Sequence, residues 1–256
     1  MKQTTPRKKI KNKMAAKKTE SSYKKRSDGR KFDEVRPMRA KVGIVPSADG
    51  SAMFESGKTR AVAVVRGPRK LHPKHMENPR KGILRVTYQM MSFSVWDRIR
   101  PGLSRRGQEI SKVAEWALSS LIDLDAFPNA VVDVFIQIPQ ADAGTRVAGL
   151  NAAAMALAQA GLPMKEMVSA TAAGKIDRTI VIDVDKEEED YKEGEGSTDI
   201  PICMTSRSKE ITLLQLDGKI STSELAEAIE MAKESCNKIL ELQSKALKNV
   251  GEEVTL

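Results

Sequence analysis

A seven-residue turn between a strand-like run and a helix-like run constrains this chain more than any other stretch. Ala130-Val-Val-Asp-Val-Phe-Ile-Gln-Ile-Pro139 is apolar and β-branched, which predicts a strand. Val147-Ala-Gly-Leu-Asn-Ala-Ala-Ala-Met-Ala-Leu-Ala-Gln-Ala160 is rich in Ala and Leu, which predicts a helix that Gly161 and Pro163 stop. Between them lies Gln140-Ala-Asp-Ala-Gly-Thr-Arg146. A Gly-Thr-Arg turn at a helix start gathers free backbone N–H groups, a hydroxyl and a guanidinium around one point, and the helix dipole adds partial positive charge. That pattern suits a phosphate group. It does not suit a nucleotide P-loop: Gly144 and Gly149 have the spacing, but Leu150 and Asn151 stand where the lysine and hydroxyl belong. Taken alone, the stretch is equally compatible with a plain glycine turn beside a solvated Arg146.

The surrounding pattern predicts strands at 39–45, 52–55, 59–65 and 84–91, with Gly/Pro/Asp clusters between some of them. Ser104 caps a helix running to about Leu121, with Ile110, Val113, Ala117 and Leu121 at helical spacing. Further strands are expected at 167–173, 179–185, 200–205 and 210–216. A long C-terminal helix follows, opened by the capping box Ser221-Thr-Ser-Glu224 and striped by Leu225, Ile229, Ala232, Cys236, Ile239, Leu240 and Leu247. Strands first, then helix–strand–helix, then strands and a helix predict a layered α+β domain with mixed sheets and packed helices.

Charge separates the chain into two parts. Residues 1–27 hold eleven Lys or Arg and one acid, Glu20, whereas the remaining 229 residues carry 32 basic and 33 acidic side chains. The excess charge therefore sits in a basic tail with few apolar residues, expected to be disordered, with the folded domain over 28–250. Such a tail would bind polyanions without sequence preference, or serve only as a solubilising extension. No run approaches the roughly 20 apolar residues of a spanning helix, and no apolar segment follows the basic start, so a cytoplasmic protein without a membrane is expected. Cys203 and Cys236 are far apart in apolar segments and read as reduced core residues. His72 and His75 share a Pro-rich loop with no set of zinc ligands around them.

Three more stretches carry charge where charge needs a reason. Ser104-Arg-Arg106 puts two arginines in the first turn of a helix, against the dipole rule, unless an anion binds between them. Arg98 and Arg100 in Trp96-Asp-Arg-Ile-Arg-Pro101 extend that basic loop, and Arg66-Gly-Pro-Arg69 aims two more arginines out of a turn. In Thr179-Ile-Val-Ile-Asp-Val-Asp185, period two places Ile180, Ile182 and Val184 on one face and Val181, Asp183 and Asp185 on the other. Paired carboxylates at a strand end can hold magnesium or supply a general acid.

Together these motifs resemble the ribonuclease PH family, and within it the catalytic ring subunits of archaeal exosomes. The stretches are Asp28-Gly-Arg30 with Arg36-Pro37, Gly67-Pro-Arg69, Ser104-Arg-Arg106, Gln140–Arg146, and Gly174-Lys-Ile-Asp177 with Asp183, and the likeness covers about residues 26–248. The resemblance implies phosphorolysis of RNA from its 3′ end, with inorganic phosphate as co-substrate and nucleoside 5′-diphosphate as product. It implies that Gly144, Thr145, Arg146 and Arg106 hold the phosphate, and that Arg69, Arg105 and Arg106 hold RNA. Asp183 would be the key catalytic carboxylate or a magnesium ligand. The family's second carboxylate falls six residues later, at Glu189, while the chemical match is Asp190 in a loop one residue longer; the resemblance leaves both as candidates for the second catalytic residue, with Asp190 the better chemical match. The implied partners are RNA, a related non-catalytic subunit in a trimer of heterodimers, and RNA-binding caps. The rival readings are a non-catalytic ring subunit, a free homohexameric tRNA-trimming enzyme and a plain RNA-binding module.

Overall fold

A computed structural model describes residues 23–102 and 104–256. The first sheet is built from β1 (Met38–Val42), β2 (Gly50–Ser56), β3 (Thr59–Lys70), β4 (Ile83–Met90), β5 (Ala130–Gln140) and β10 (Glu253–Thr255), in the order β10-β1-β2-β3-β5-β4. Only β4 and β5 run parallel, because α1 (Arg105–Ser119) crosses between them. The second sheet is antiparallel, in the order β7-β6-β8-β9, from β6 (Val168–Ile176), β7 (Thr179–Ile182), β8 (Ser197–Thr205) and β9 (Ile211–Leu214). The fold is α+β with mixed sheets, as the sequence pattern predicts.

The helix after the turn, α2 (Thr145–Gln159), packs against β2 and β3 of the first sheet and β6 of the second. Every residue from Val147 to Leu157 is buried, which is why the helix is Ala-rich: small side chains let both sheets approach. At Gly50 an added Cβ would lie 2.1 Å from the Ala156 carbonyl oxygen, so β2 and α2 meet backbone to backbone. Asn151 uses its amide as a strand would. It donates to the Ala170 carbonyl at 2.8 Å and accepts from the Ala170 N–H at 2.8 Å, tying α2 to β6. The long helix α4 (Thr222–Lys248) starts at the Ser221–Glu224 capping box and lays Ala228, Ala232 and Cys236 on Ile180, Ile182, Ile200, Ile202 and Met204. Both cysteines are free and buried, and burial pushes their thiols up to about 12 for Cys203 and about 11 for Cys236.

Two expectations are corrected. The strand expected through Asp185 ends at Ile182, because Asp183 takes a left-handed conformation (φ 55°) that ends the alternation of faces. The folded chain also starts before Asp28. Arg26 is 1% exposed, donates to both carboxylate oxygens of Glu188 at 2.8 Å, and donates to the carbonyls of Ile182 and Asp183. So large a set of charged hydrogen bonds outweighs the basic composition of residues 23–27. The rest of the expected tail, residues 1–22, lies outside the described residues.

Candidate active site

The turn ahead of α2 is held from below. Ala143 and Gly144 are both left-handed, at φ 54° and 62°, which swings the chain from β5 into the helix. The Arg36 guanidinium donates to the Asp142 carbonyl at 2.7 Å, and the Thr59 hydroxyl lies within bonding distance of the carbonyls of Asp142 and Ala143. The Thr59 oxygen also accepts from the Asp142 N–H at 2.9 Å. Among the described residues no side chain caps the N-terminus of α2, so its first N–H groups are placed to meet an anion. Tyr88 donates to the Thr145 hydroxyl oxygen at 2.9 Å, leaving the threonine proton to point elsewhere. The Arg146 Nε is buried and has no hydrogen-bond partner among the described residues.

These groups open onto one cleft. Its walls include Arg106, Gly144, Thr145, Arg146, Lys186, Glu189 and Asp199. Arg106 arrives from the first turn of α1, which Ser104 caps by accepting from the Gly107 N–H at 2.9 Å. Lys186 and Glu189 come from the one-turn helix α3 (Lys186–Glu189), fixed by its own capping box between Asp185 and Glu188. Asp199 lies on β8, its backbone doubly bonded to Asp217 at 3.0 and 2.9 Å. Half-burial pushes its carboxyl up to about 6, with repulsion from Glu189 adding to the rise and Arg146 opposing it. Among the described residues no side chain hydrogen-bonds to that carboxylate.

The sequence-derived residues divide accordingly. Gly144, Thr145, Arg146 and Arg106 converge on the cleft. Arg105 is exposed at the helix start and does not line it. Arg69 is at the other end of the sheet: Arg60 pairs with Gln140 whereas Arg69 pairs with Val131. Nine positions along a strand correspond to about 30 Å. Asp190 is exposed and bonded to Lys186 at 3.0 Å; its neighbour Glu189 is the one that lines the cleft.

Asp183 is placed where its carboxylate has no chemistry left to do. It is 2% exposed and accepts from the Arg36 Nε (3.0 Å), Nη2 (2.7 Å) and backbone N–H (2.8 Å), and from the Ser56 hydroxyl (3.0 Å). Burial opposes its ionisation, but the Arg36 charge and hydrogen bonds outweigh it and hold the carboxyl below the usual range. The left-handed backbone turns Asp183 inward, away from the face that strand periodicity assigned to it. A magnesium ion does not fit on it, because it would have to displace the Arg36 guanidinium from a buried ion pair. Nor do the described residues contain a cluster of three or more His, Cys, Asp or Glu that could hold a metal. Asp199 is the residue that strand reading left out. Its signal was the one used for Asp183, a lone carboxylate in the apolar run Thr198-Asp-Ile-Pro-Ile-Cys-Met204.

With this geometry in hand, comparison with known proteins decides the family. The model of domain 1 of the 3′ exoribonuclease family matches residues 34–163, and that of domain 2 matches residues 166–235. The chain belongs to the 3′ exoribonuclease family, of ribonuclease PH type. The exosome complex component Rrp41 of Thermococcus kodakarensis is 50% identical over 224 residues, covering 88% of each chain. Its counterparts in Pyrococcus abyssi and Archaeoglobus fulgidus are 48% and 44% identical, covering 88% and 90% of each chain. The crystal structure of rice Rrp46 has the same fold, with a TM-score of 0.77 at 24% identity over 87% of this chain and all of that one. The boundary between the two family domains falls between α2 and β6, so the cleft takes its arginines from the first and Lys186, Glu189 and Asp199 from the second.

Proposed function

We propose that this chain is the phosphorolytic subunit of an exosome-type ring, shortening RNA from its 3′ end. The observation that carries the reading is the buried, unpartnered Arg146 Nε beside an uncapped helix start, opposite a carboxyl poised to give up a proton near pH 6. Inorganic phosphate would sit on the N–H groups at the start of α2, the Thr145 hydroxyl, Arg146 and Arg106. One of its oxygens attacks the phosphorus of the last phosphodiester. The P–O3′ bond breaks, a proton passes from Asp199 to the departing 3′ oxygen, and nucleoside 5′-diphosphate leaves. The reverse reaction, tailing from diphosphates, crosses the same transition state.

Two repelling anions must meet, so fixed cations and preorganised N–H groups should supply most of the acceleration. Asp199 suits proton transfer better than Asp183 because its pKa lies close to working pH. Lys186, bound to Glu189 and Asp190, brings further charge to the mouth of the cleft, and Asp190 acts there through that lysine. Arg105 would hold RNA at the start of α1, and Arg69 would touch it well upstream. Magnesium, if used, would arrive on the phosphates, since octahedral magnesium keeps mostly water and substrate oxygens. The relatives' names as exosome components support assembly with related ring subunits, and RNA-binding caps would complete the particle.

The test is incubation of poly(A) with the full chain, alone and with a co-expressed ring partner, with and without inorganic phosphate. ADP released only with phosphate is the expected product. AMP released without phosphate, or no product from any assembly, would refute phosphorolysis.

A further inference from the structure

The loop between β4 and α1 carries two large exposed aromatics that the cleft chemistry does not use. Phe93 is 74% exposed, and Trp96 is fully exposed. The loop is nonetheless built rather than loose. The Ser94 N–H donates to the Met91 carbonyl at 3.0 Å and the Ile99 N–H to the Ser92 carbonyl at 3.2 Å, closing the turn. The Ala141 N–H donates to the Ser94 carbonyl at 2.9 Å, fastening the loop to the stretch that leads into Gly144. Val95, the residue before Trp96, lines the cleft itself.

Charge surrounds these rings. Arg98, Arg100, Arg105 and Arg106 are exposed within ten residues of Trp96, and none of them makes an ion pair among the described residues. One acid, Asp97, lies among them. Exposed aromatic faces set among arginines without ion pairs suit a partner that is both anionic and flat. Single-stranded RNA fits both demands, through its phosphates and its base faces.

We propose that Phe93 and Trp96 form a base-stacking platform at the lip of the cleft, gripping nucleotides near the 3′ end while the neighbouring arginines hold their phosphates. The proposal rests on reading the cleft as an RNA 3′-end site, but it concerns binding and needs no turnover. Stacking accepts any base, so the platform would grip RNA without sequence preference and resist release of short products.

The chain contains two tryptophans, so full-length protein carrying Trp116→Phe reports on Trp96 alone. Oligo(A) should quench that fluorescence in the absence of phosphate, and an abasic oligonucleotide of equal length should not. By anisotropy, Trp96→Ala should weaken oligo(A) binding about 5- to 150-fold, the range that base–aromatic stacking commands, with Phe93→Ala smaller and abasic binding unchanged for both. Equal oligo(A) affinity in parent and Trp96→Ala, including no binding by either, would overturn the platform. So would loss of assembly with a ring partner in Trp96→Ala at unchanged RNA affinity, which would make the loop a subunit contact. A platform that binds in a protein lacking phosphorolysis would instead count against the proposed reaction alone.

Discussion

Asp183 and Asp199 are both aspartates in or beside the second sheet, yet their surroundings differ in every respect that matters. Asp183 is saturated by Arg36 and Ser56 and stays ionised; Asp199 is half-buried, faces Glu189, and is pushed up to about 6. A carboxylate whose charge is fully answered holds structure in place. One that lies in a cleft without a hydrogen-bonded counter-ion has a proton to trade. Asp183 still bears on the cleft at one remove, because the arginine it fixes also holds the Asp142 carbonyl and hence the turn ahead of α2.

Four substitutions sharpen this contrast, from the largest effect down. Asp199→Asn should lower single-turnover phosphorolysis by about 10²–10⁴-fold while leaving melting and RNA affinity near those of the parent; near-parental turnover would remove Asp199 from the chemistry. Asp183→Asn leaves Arg36 buried without its counter-charge. It should cost about 3–5 kcal/mol in urea unfolding, with activity recovered in the fraction that folds. Parental stability with abolished turnover would reverse the two roles. Arg106→Ala should raise the phosphate requirement, whereas Arg105→Ala should weaken RNA retention, each by about 1.5–3 kcal/mol. Identical phosphate and RNA dependences in both variants would dissolve that division. Removing residues 1–22, which hold eight Lys or Arg and one acid, should flatten the salt dependence of RNA binding and leave the chemical step unchanged. Loss of the chemical step at saturating RNA would make the segment part of the machinery.

The order of elements was legible in the sequence because each rests on short-range pattern: β-branched runs, helical stripes, a Ser-x-x-Glu box. The phosphate turn was legible for the same reason, since Gly144, Thr145 and Arg146 are consecutive and their geometry is that of a helix start. Asp183 was misplaced because period two holds only while φ stays negative, and because Arg36, its partner, is 147 residues away. The early start of the fold was hidden likewise: Arg26 looks like tail until Glu188, 162 residues on, is brought beside it. Asp199 escaped because the strand was expected to begin at Ile200, one residue too late. Arg69 looked like a companion of the cleft arginines until the register of β3 against β5 set it opposite Val131, at the end of the sheet away from the turn ahead of α2.

The most direct test of Asp199 as proton donor is the pH profile of single-turnover ADP release at saturating phosphate and RNA. Since the protonated carboxyl is the active form, the rate should hold at low pH and fall as pH rises through an apparent pKa at or above 6. Bound phosphate and RNA add negative charge and move that pKa upward. In Asp199→Asn the residual rate should lose this limb. A parent rate that is flat from pH 5 to 9, or an unchanged limb in Asp199→Asn, would contradict the account.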